Sequence, residues 1–207
     1  MAWDVEGTKN SLLRAGADEF GRFGLAGARV DRIAKRAEVN KERIYEYFGN
    51  KEALFNAVLE RELAISSTGV EISGSGPTAM ARYAGARFDH QLANPAFTRL
   101  LFWESLELET PASTVSRRDQ ARSLVTGARR AIPELSEADA QELLVTVITL
   151  VDGWIALRAT DRQFTGSNAT DFDRIRRRRE FIVMTVESAT KAALSIPTQS
   201  RSASDAT

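Results

Sequence analysis

The 207-residue chain contains no cysteine and a single histidine, His90. The absence of cysteine excludes disulfides, thiolate chemistry and cysteine-ligated zinc. One histidine leaves little material for histidine-based acid–base catalysis. The glycines at 74–78 (GSGPT) form too short a stretch for a phosphate-binding P-loop, and no compelling set of carboxylates stands out. We therefore expect no catalytic residues, no metal, no cofactor and no enzyme activity.

The chain also lacks net charge and a long hydrophobic run. Its 28 basic residues balance 28 acidic ones, whereas a non-specific nucleic-acid coat protein is usually basic. Residues 1–10 lack the apolar run of a signal peptide. The most apolar segment, 143–157, is short for a membrane span and contains Asp152. We expect a cytoplasmic protein with no membrane partner.

The charge is unevenly distributed along the chain. Between Arg22 and Lys51, eight basic residues stand against four acidic ones, which is a local net charge of +4. A basic region within a neutral chain is consistent with a local nucleic-acid surface.

Hydrophobic periodicity predicts helices almost everywhere, without the period-two alternation of strands. The fold class is therefore expected to be all-α. Gly24 is placed to stop the first helix, and the Ser/Gly-rich residues 66–78 indicate a loop or hinge. The predicted helices span 8–23, 30–37, 41–48, 51 onward, 78–93, 95–108, 113–131, 137–161 and 171–194.

The second and third helices are too short to be stable alone, so packing must hold them. We expect Asn40 to cap the third helix through its side chain and Asn50 to cap the fourth. Gly49 is expected to close the third helix in the left-handed conformation, and Glu38 occupies the turn before it. The expected packing residues are Ala34, Val39, Ile44 and Phe48.

The outward face of residues 41–48 carries cations at its start and tyrosines after them. The N-terminal residues of a helix lying in the major groove reach base edges, where arginine can read guanine and an acid can accept from cytosine N4. A phosphate is favoured at a helix N-terminus, where Lys51 lies, and Arg29 can also bind a phosphate. The predicted DNA-binding residues are Arg29, Lys41, Glu42, Arg43, Tyr45, Glu46, Tyr47 and Lys51. The alternative is a solvated basic face on a packed helical subdomain.

Residues 24–60 (GLAGARVDRIAKRAEVNKERIYEYFGNKEALFNAVLE) resemble the DNA-binding domain of TetR-family transcriptional regulators. Three positions depart from that pattern. Ala28 and Arg29 stand where the family often has a Thr or Ser cap, Glu38 where it often has Gly, and Glu46 where His is frequent. These departures affect the expected operator sequence more than DNA binding itself.

The resemblance implies an all-helical, dimeric protein with a defined domain organisation. Residues 1–55 are expected to form a three-helix DNA-binding domain with a helix-turn-helix. Residues 56–194 are expected to form a larger helical domain for ligand binding and dimerisation, and residues 195–207 a disordered tail.

The resemblance also implies that the last two long helices pair across a two-fold axis. We assign segments 137–161 and 171–194 to this homodimer interface, with ordinary intrachain core as the alternative. A dimer doubles the length of DNA that one short helix can read. The arginine-rich run at 174–179 is interpreted as a solvated, salt-bridged helix face rather than a second DNA site.

An effector pocket in this family lies within the middle helices. The expected ligand-binding residues are Phe88, His90, Phe102, Trp103, Asp152 and Trp154. Each also has a purely structural interpretation: the aromatic side chains as core, Asp152 as the partner of an arginine, and His90 as the partner of a local carbonyl.

The sequence therefore predicts a TetR-like regulator, most simply a repressor that binds a palindromic operator as a dimer and is released by a small molecule. The alternative is an effector-independent or architectural DNA-binding protein, which would bind many sequences alike.

Overall fold

A computed structural model describes residues 4–68, 70–109, 114–167 and 170–195. These ranges are helical and contain no strand, which confirms the all-α prediction. Apart from Ser195, which ends the last helix, the predicted tail lies outside the described residues. The helices are α1 (Val5–Gly27), α2 (Val30–Arg36), α3 (Lys41–Phe48), α4 (Lys51–Ser67), α5 (Pro77–Ala93), α6 (Ala96–Glu107), α7 (Thr114–Ala131), α8 (Glu137–Ala156), α9 (Arg158–Thr165) and α10 (Phe172–Ser195).

The helices pack into two compact units. Unit 1 comprises Met1–Thr68 and Ala93–Asp119, and unit 2 comprises Gly69–Leu92 and Gln120–Thr207. The predicted boundary between residues 55 and 56 falls inside α4, and α6 packs with the N-terminal helices. The functional division into a DNA-binding and a ligand-binding domain stays a prediction.

The core of unit 1 holds the two short helices in place. Phe20 of α1 and Phe55 of α4 meet edge to face, with ring centroids 5.1 Å apart. Ile33 from α2 and Ile44 from α3 are fully buried in the same cluster. This tertiary burial supplies the stability that helices of seven and eight residues lack by themselves. The expected packing residues are confirmed: Ala34 and Ile44 are buried, and Val39 and Phe48 pack against the core as partly buried side chains.

The turns flanking α3 agree with the sequence in part. The Asn50 side chain accepts a hydrogen bond from the Ala53 amide at 2.7 Å, as predicted, and Glu38 has a φ of 58°. Gly49 has a φ of 83° but a ψ of −53°, rather than the left-handed helical conformation. The predicted side-chain cap at Asn40 is wrong. The Arg43 amide donates instead to the Asn40 backbone carbonyl at 3.1 Å, which uses the donor that a cap would satisfy.

Gly24 interrupts α1 without ending it. Its φ of 68° and ψ of −176° are non-helical, a conformation that is essentially restricted to glycine. One further turn follows, to Gly27. The predicted stop is therefore a break in the helix, at a point where a Cβ would meet Glu107 and Trp103 of α6.

The core of unit 2 is formed by α5, α8, the C-terminal half of α7 with the turn after it, and α10. The prediction of a single helix over 137–161 is wrong, because α8 ends at Ala156 and α9 continues from Arg158 at a bend of 81°. The buried stripe of α8 stops at Ile155, and α9 has no buried residue. Asp161 of α9 pairs with Arg174 of α10. After Ala156 the chain therefore has no buried apolar stripe, and an ion pair ties α9 to α10.

Among the described residues, no single helix has both the length and the apolar composition of a membrane span. Only α8 and α9 taken together, across their bend, satisfy those two criteria.

Candidate functional site

The exposed surface of α3 is the first candidate site. Ile44 anchors the helix with no exposed surface. Lys41, Glu42, Tyr45 and Glu46 are exposed, and Tyr45 retains 45% of its surface. The predicted outward face of this helix is therefore present, with two cations in its first turn.

The cations of α3 are held by acids close to them. Arg43 Nη1 lies 2.7 Å from Glu46 Oε2, one turn away. Lys41 Nζ lies 2.9 Å from Asp31 Oδ1 of α2, and this hydrogen bond raises the pKa of Lys41 above its usual value. Exposed ion pairs of this kind contribute little to stability. A phosphate or a guanine edge can therefore displace either acid at little cost.

Tyr47 is half-buried, in contrast to Tyr45. Its ring lies edge to face with Phe48 at 6.5 Å, and Lys9 Nζ of α1 lies 5.6 Å from its centroid. These contacts fix the ring, so that Tyr47 presents its hydroxyl from a defined position. The Arg29 side chain is exposed at the start of α2.

The start of α2 is held from α1 by Glu19, a residue that was not among the predicted ones. Glu19 Oε1 accepts from the Arg29 amide at 2.9 Å and from Arg32 Nε at 2.6 Å. Burial of Glu19 opposes its ionisation, but the hydrogen bonds from Arg32 and from the Arg29 amide outweigh it and lower its pKa. Glu19 thus satisfies one amide at the start of α2, a helix whose own N-cap residue makes no side-chain cap. The nearest sequence signal was an acid among the apolar residues of the first helix.

The Lys51 side chain extends from the start of α4 to the turn between α1 and α2. Its Nζ is 3.3 Å from the Ala28 carbonyl and 3.4 Å from the Ala26 carbonyl. These two carbonyl oxygens hold the ammonium group in place. The Lys51 ammonium thus lies beside the residue that precedes Arg29. A contact between Lys51 and a DNA phosphate stays a prediction.

Residues of α6 hold the same turn from the other side. Glu107 Oε2 accepts from the amides of Leu25 and Ala26 at 2.5 and 3.0 Å. Trp103 Nε1 donates to the Gly21 carbonyl at 3.4 Å. A Cβ at Gly24 would lie 2.4 Å from a Glu107 oxygen and 2.7 Å from the Trp103 ring. This close approach explains the glycine, and it gives Trp103 a packing role within unit 1.

The six predicted ligand-binding residues do not belong to one unit. Phe102 and Trp103 lie on α6 in unit 1, and Phe102 is 41% exposed. Phe88, His90, Asp152 and Trp154 lie in unit 2. Sequence spacing could not separate these groups, because adjacent long helices can pack into different units.

Unit 2 brings together a buried polar cluster beside two aromatic rings. Asp152, with 5% exposure, accepts from Arg87 Nη2 at 2.9 Å and from Gln91 Nε2 at 3.3 Å. This confirms the structural interpretation of Asp152 as the partner of an arginine. The Phe88 and Trp154 rings lie 5.3 Å apart. Burial raises the pKa of the neighbouring Tyr83, although Arg87 opposes that shift.

Three buried polar atoms of this cluster have no hydrogen-bond partner among the described residues. They are Arg87 Nε, Gln91 Oε1 and Trp154 Nε1. Burying an unpaired polar group costs about 1–3 kcal/mol, and such groups in native proteins call for an explanation. Two donors and an acceptor beside aromatic rings can hold a small polar molecule. Arg87 and Gln91 were not predicted, because their spacing on α5 is that of an ordinary buried helix face.

Comparisons with known proteins agree across both units. The family model described as "Bacterial regulatory proteins, tetR family" matches residues 12–58, and "Tetracyclin repressor-like, C-terminal domain" matches residues 79–187. The HTH-type transcriptional repressor SCO4008 of Streptomyces coelicolor is 32% identical, with 84% of this chain and 92% of that protein aligned.

Solved structures give the same result. SCO4942 from Streptomyces coelicolor superposes with a TM-score of 0.71 at 32% identity, covering 87% of this chain and 97% of that one. A TetR protein from Acinetobacter baumannii AYE, solved in complex with minocycline, has a TM-score of 0.61 at 16% identity over 89% of this chain and 97% of that one. The latter likeness is one of fold.

Proposed function

We propose that this chain, which belongs to the TetR family of helix-turn-helix transcriptional regulators, is a repressor. It binds a two-fold symmetric operator as a homodimer. Binding of a small molecule releases it from that operator. It would act on the chromosome, in the cytoplasm. SCO4008, the relative that aligns over most of its length, is named a repressor.

The exposed face of α3 is the observation that carries DNA binding. Lys41 and Arg43 stand in the first turn, where a helix in the major groove meets base edges. Tyr45 and Glu42 extend the same surface, and Tyr47 contributes a hydroxyl for phosphate. Arg29 and Lys51 flank the surface as phosphate contacts.

In the free protein, Glu46 occupies the position beside Arg43 that a DNA group takes in the complex. In the free protein it neutralises Arg43 at 2.7 Å. On the operator, Arg43 turns to a guanine, and Glu46 is left to accept from a cytosine N4 or to face solvent. This exchange of partners favours operator sequences that offer a guanine to Arg43 and a cytosine to Glu46.

Dimerisation is assigned to α8 and α10, as the sequence predicts. The side of α10 that faces the unit 2 core carries Ile182, Val186 and Thr190. A second stripe, Phe181 and Met184, is 57% and 54% exposed. Exposed large apolar side chains in series mark an interaction surface. A second copy of the chain would cover them, together with Val145 of α8, which is 57% exposed.

The effector is assigned to the polar cluster of unit 2. Phe88 and Trp154 supply flat apolar surface, Asp152 and Arg87 supply charge, and the unpaired buried atoms supply hydrogen-bonding capacity. His90 lies on α5 near the same cluster in sequence. Phe102 and Trp103 are left out of this assignment, because they belong to unit 1. The minocycline complex of the Acinetobacter protein shows a small-molecule ligand in a protein of this fold.

Genomic footprinting with the purified protein tests the proposal. We expect protection of discrete sites with two-fold symmetry, and the neighbouring genes then indicate which compounds to assay for release. Arg43→Ala should weaken operator binding by about 1–3 kcal/mol and relax sequence preference. Arg14→Ala, an exposed arginine on α1, is the matched control.

Two results would contradict the proposal. If Arg43→Ala and Tyr47→Ala both bound the operator like the wild type, α3 would not lie in the groove. If footprints covered many unrelated sequences alike and no compound released them, the protein would be an architectural DNA-binding protein.

A further inference from the structure

Unit 1 contains a cleft that neither the DNA surface nor the effector assignment uses. It has a volume of about 400 Å³, which is within the range of small-molecule sites. α1, α4, α6 and the C-terminal end of α2 contribute its walls. Small residues, among them Ala17, Gly21 and Ala96, line it and leave room for a ligand to approach the backbone.

The charged residues of the cleft do not balance one another. Asp18 Oδ2 lies 2.7 Å from Arg36 Nη1, so this acid is already neutralised within the cleft. Glu62, which is 6% exposed, pairs with Arg61. Both acids in the lining therefore have a cationic partner.

Two arginines remain in excess. Arg22 of α1 and Arg99 of α6 line the cleft, are exposed, and form no ion pair with any residue that the structure describes. The Cβ of Arg99 lies 3.9 Å from where a Cβ of Gly21 would stand, so the Arg99 stem runs directly against α1, one residue from Arg22. Because both arginines line the cleft while both of its acids are already paired, the cleft carries positive charge that no described acid compensates.

We propose that this cleft binds a small dianion, a phosphate monoester or a dicarboxylate, between Arg22 and Arg99. Arginine matches the geometry of both groups because its planar fork donates two parallel hydrogen bonds. The ligand would connect α1 to α6, the two helices that meet again at Glu107 and the Leu25 amide. Such a ligand would stabilise the geometry of the helix-turn-helix independently of any effector in unit 2.

Thermal unfolding of the full-length protein without DNA tests the proposal separately from operator binding. Inorganic phosphate and succinate are titrated at pH 7.5 and constant ionic strength maintained with NaCl. We expect one of them to raise the midpoint saturably, following the linkage between ligand concentration and stability. The anion that does so identifies the ligand as a phosphate or a dicarboxylate.

The matched variants are two double substitutions of equal charge change. Arg22→Gln/Arg99→Gln should weaken the apparent affinity about tenfold or more. Arg14→Gln/Arg118→Gln, at exposed arginines on α1 and α7 outside the cleft lining, should leave it unchanged. If the cleft double variant is too unstable to titrate, each single substitution should still weaken binding measurably in calorimetry.

Three outcomes would overturn the inference. One is that the anion raises the unfolding midpoint of both double variants equally, which indicates a general salt effect. Another is the absence of saturable binding with either anion. The third is a cleft variant that loses only operator affinity while the wild type binds no free anion, which makes the arginines contacts for DNA phosphates.

Discussion

Replacing Glu19 tests whether the cap on α2 comes from α1. In Glu19→Ala, the Arg29 amide loses its acceptor at 2.9 Å and Arg32 loses its partner at 2.5 Å. Losing an N-terminal cap costs about 0.5–2 kcal/mol. The ion pair adds little, because Arg32 is 43% exposed. We expect a total loss of about 2 kcal/mol, which corresponds to a decrease in Tm of about 4–8 °C for a chain of this size.

Glu19→Gln separates the charge from the hydrogen bond. Glutamine keeps an oxygen for the Arg29 amide, so we expect about half of the loss seen with alanine, roughly 1 kcal/mol. Because the pKa of folded Glu19 lies below its ordinary value of 4.5, its stabilisation is present above that value. It is lost as the pH falls through the folded-state pKa. The difference in the free energy of unfolding between wild type and Glu19→Gln should thus be constant near neutral pH. It should become smaller below about pH 4.5.

Circular dichroism melts of the full-length protein at several pH values measure both effects. Glu60→Gln is the control, since Glu60 is exposed on α4 and has no partner among the described residues. A Glu19→Ala protein with wild-type Tm would refute the reasoning, because the cap would then come from elsewhere. A pH dependence equal to that of the Glu60 control would refute the lowered pKa.

Three further predictions concern other parts of the chain. Gly24→Ala should destabilise more than Gly49→Ala in thermal melts: both positions have positive φ, but only at residue 24 would a Cβ meet α6, at 2.4 Å. Lys51→Ala should weaken binding to all DNA sequences and reduce the slope of affinity against salt by about one unit, whereas an unchanged slope would exclude a phosphate contact. Asp152→Ala should cost about 3–5 kcal/mol in denaturant unfolding because it strands the buried Arg87, and a smaller loss would mean that solvent reaches the arginine.

Most features that depend on three or four neighbouring residues were predictable, with the Asn40 cap as an exception. The Asn50 cap bonds an amide three residues away, and the breaks at Gly24 and Glu38 follow from where helical periodicity ends. The outward face of α3 follows from the position of Ile44 alone. Such signals act within one helical turn, so the chain carries them without knowledge of the fold.

The sequence by itself therefore determined the helical class, the short pair α2 and α3, and the exposed residues of α3. Only the tertiary structure decided which distant groups meet: the Glu19 carboxylate and the Arg29 amide, 10 residues apart; Asp152 and Arg87, 65 apart; and Glu107 and the Leu25 amide, 82 apart. It also separated Trp103 from Trp154 by placing them in different units. Periodicity identifies which face of a helix is buried, but a buried charge takes its partner from whichever helix packs against it.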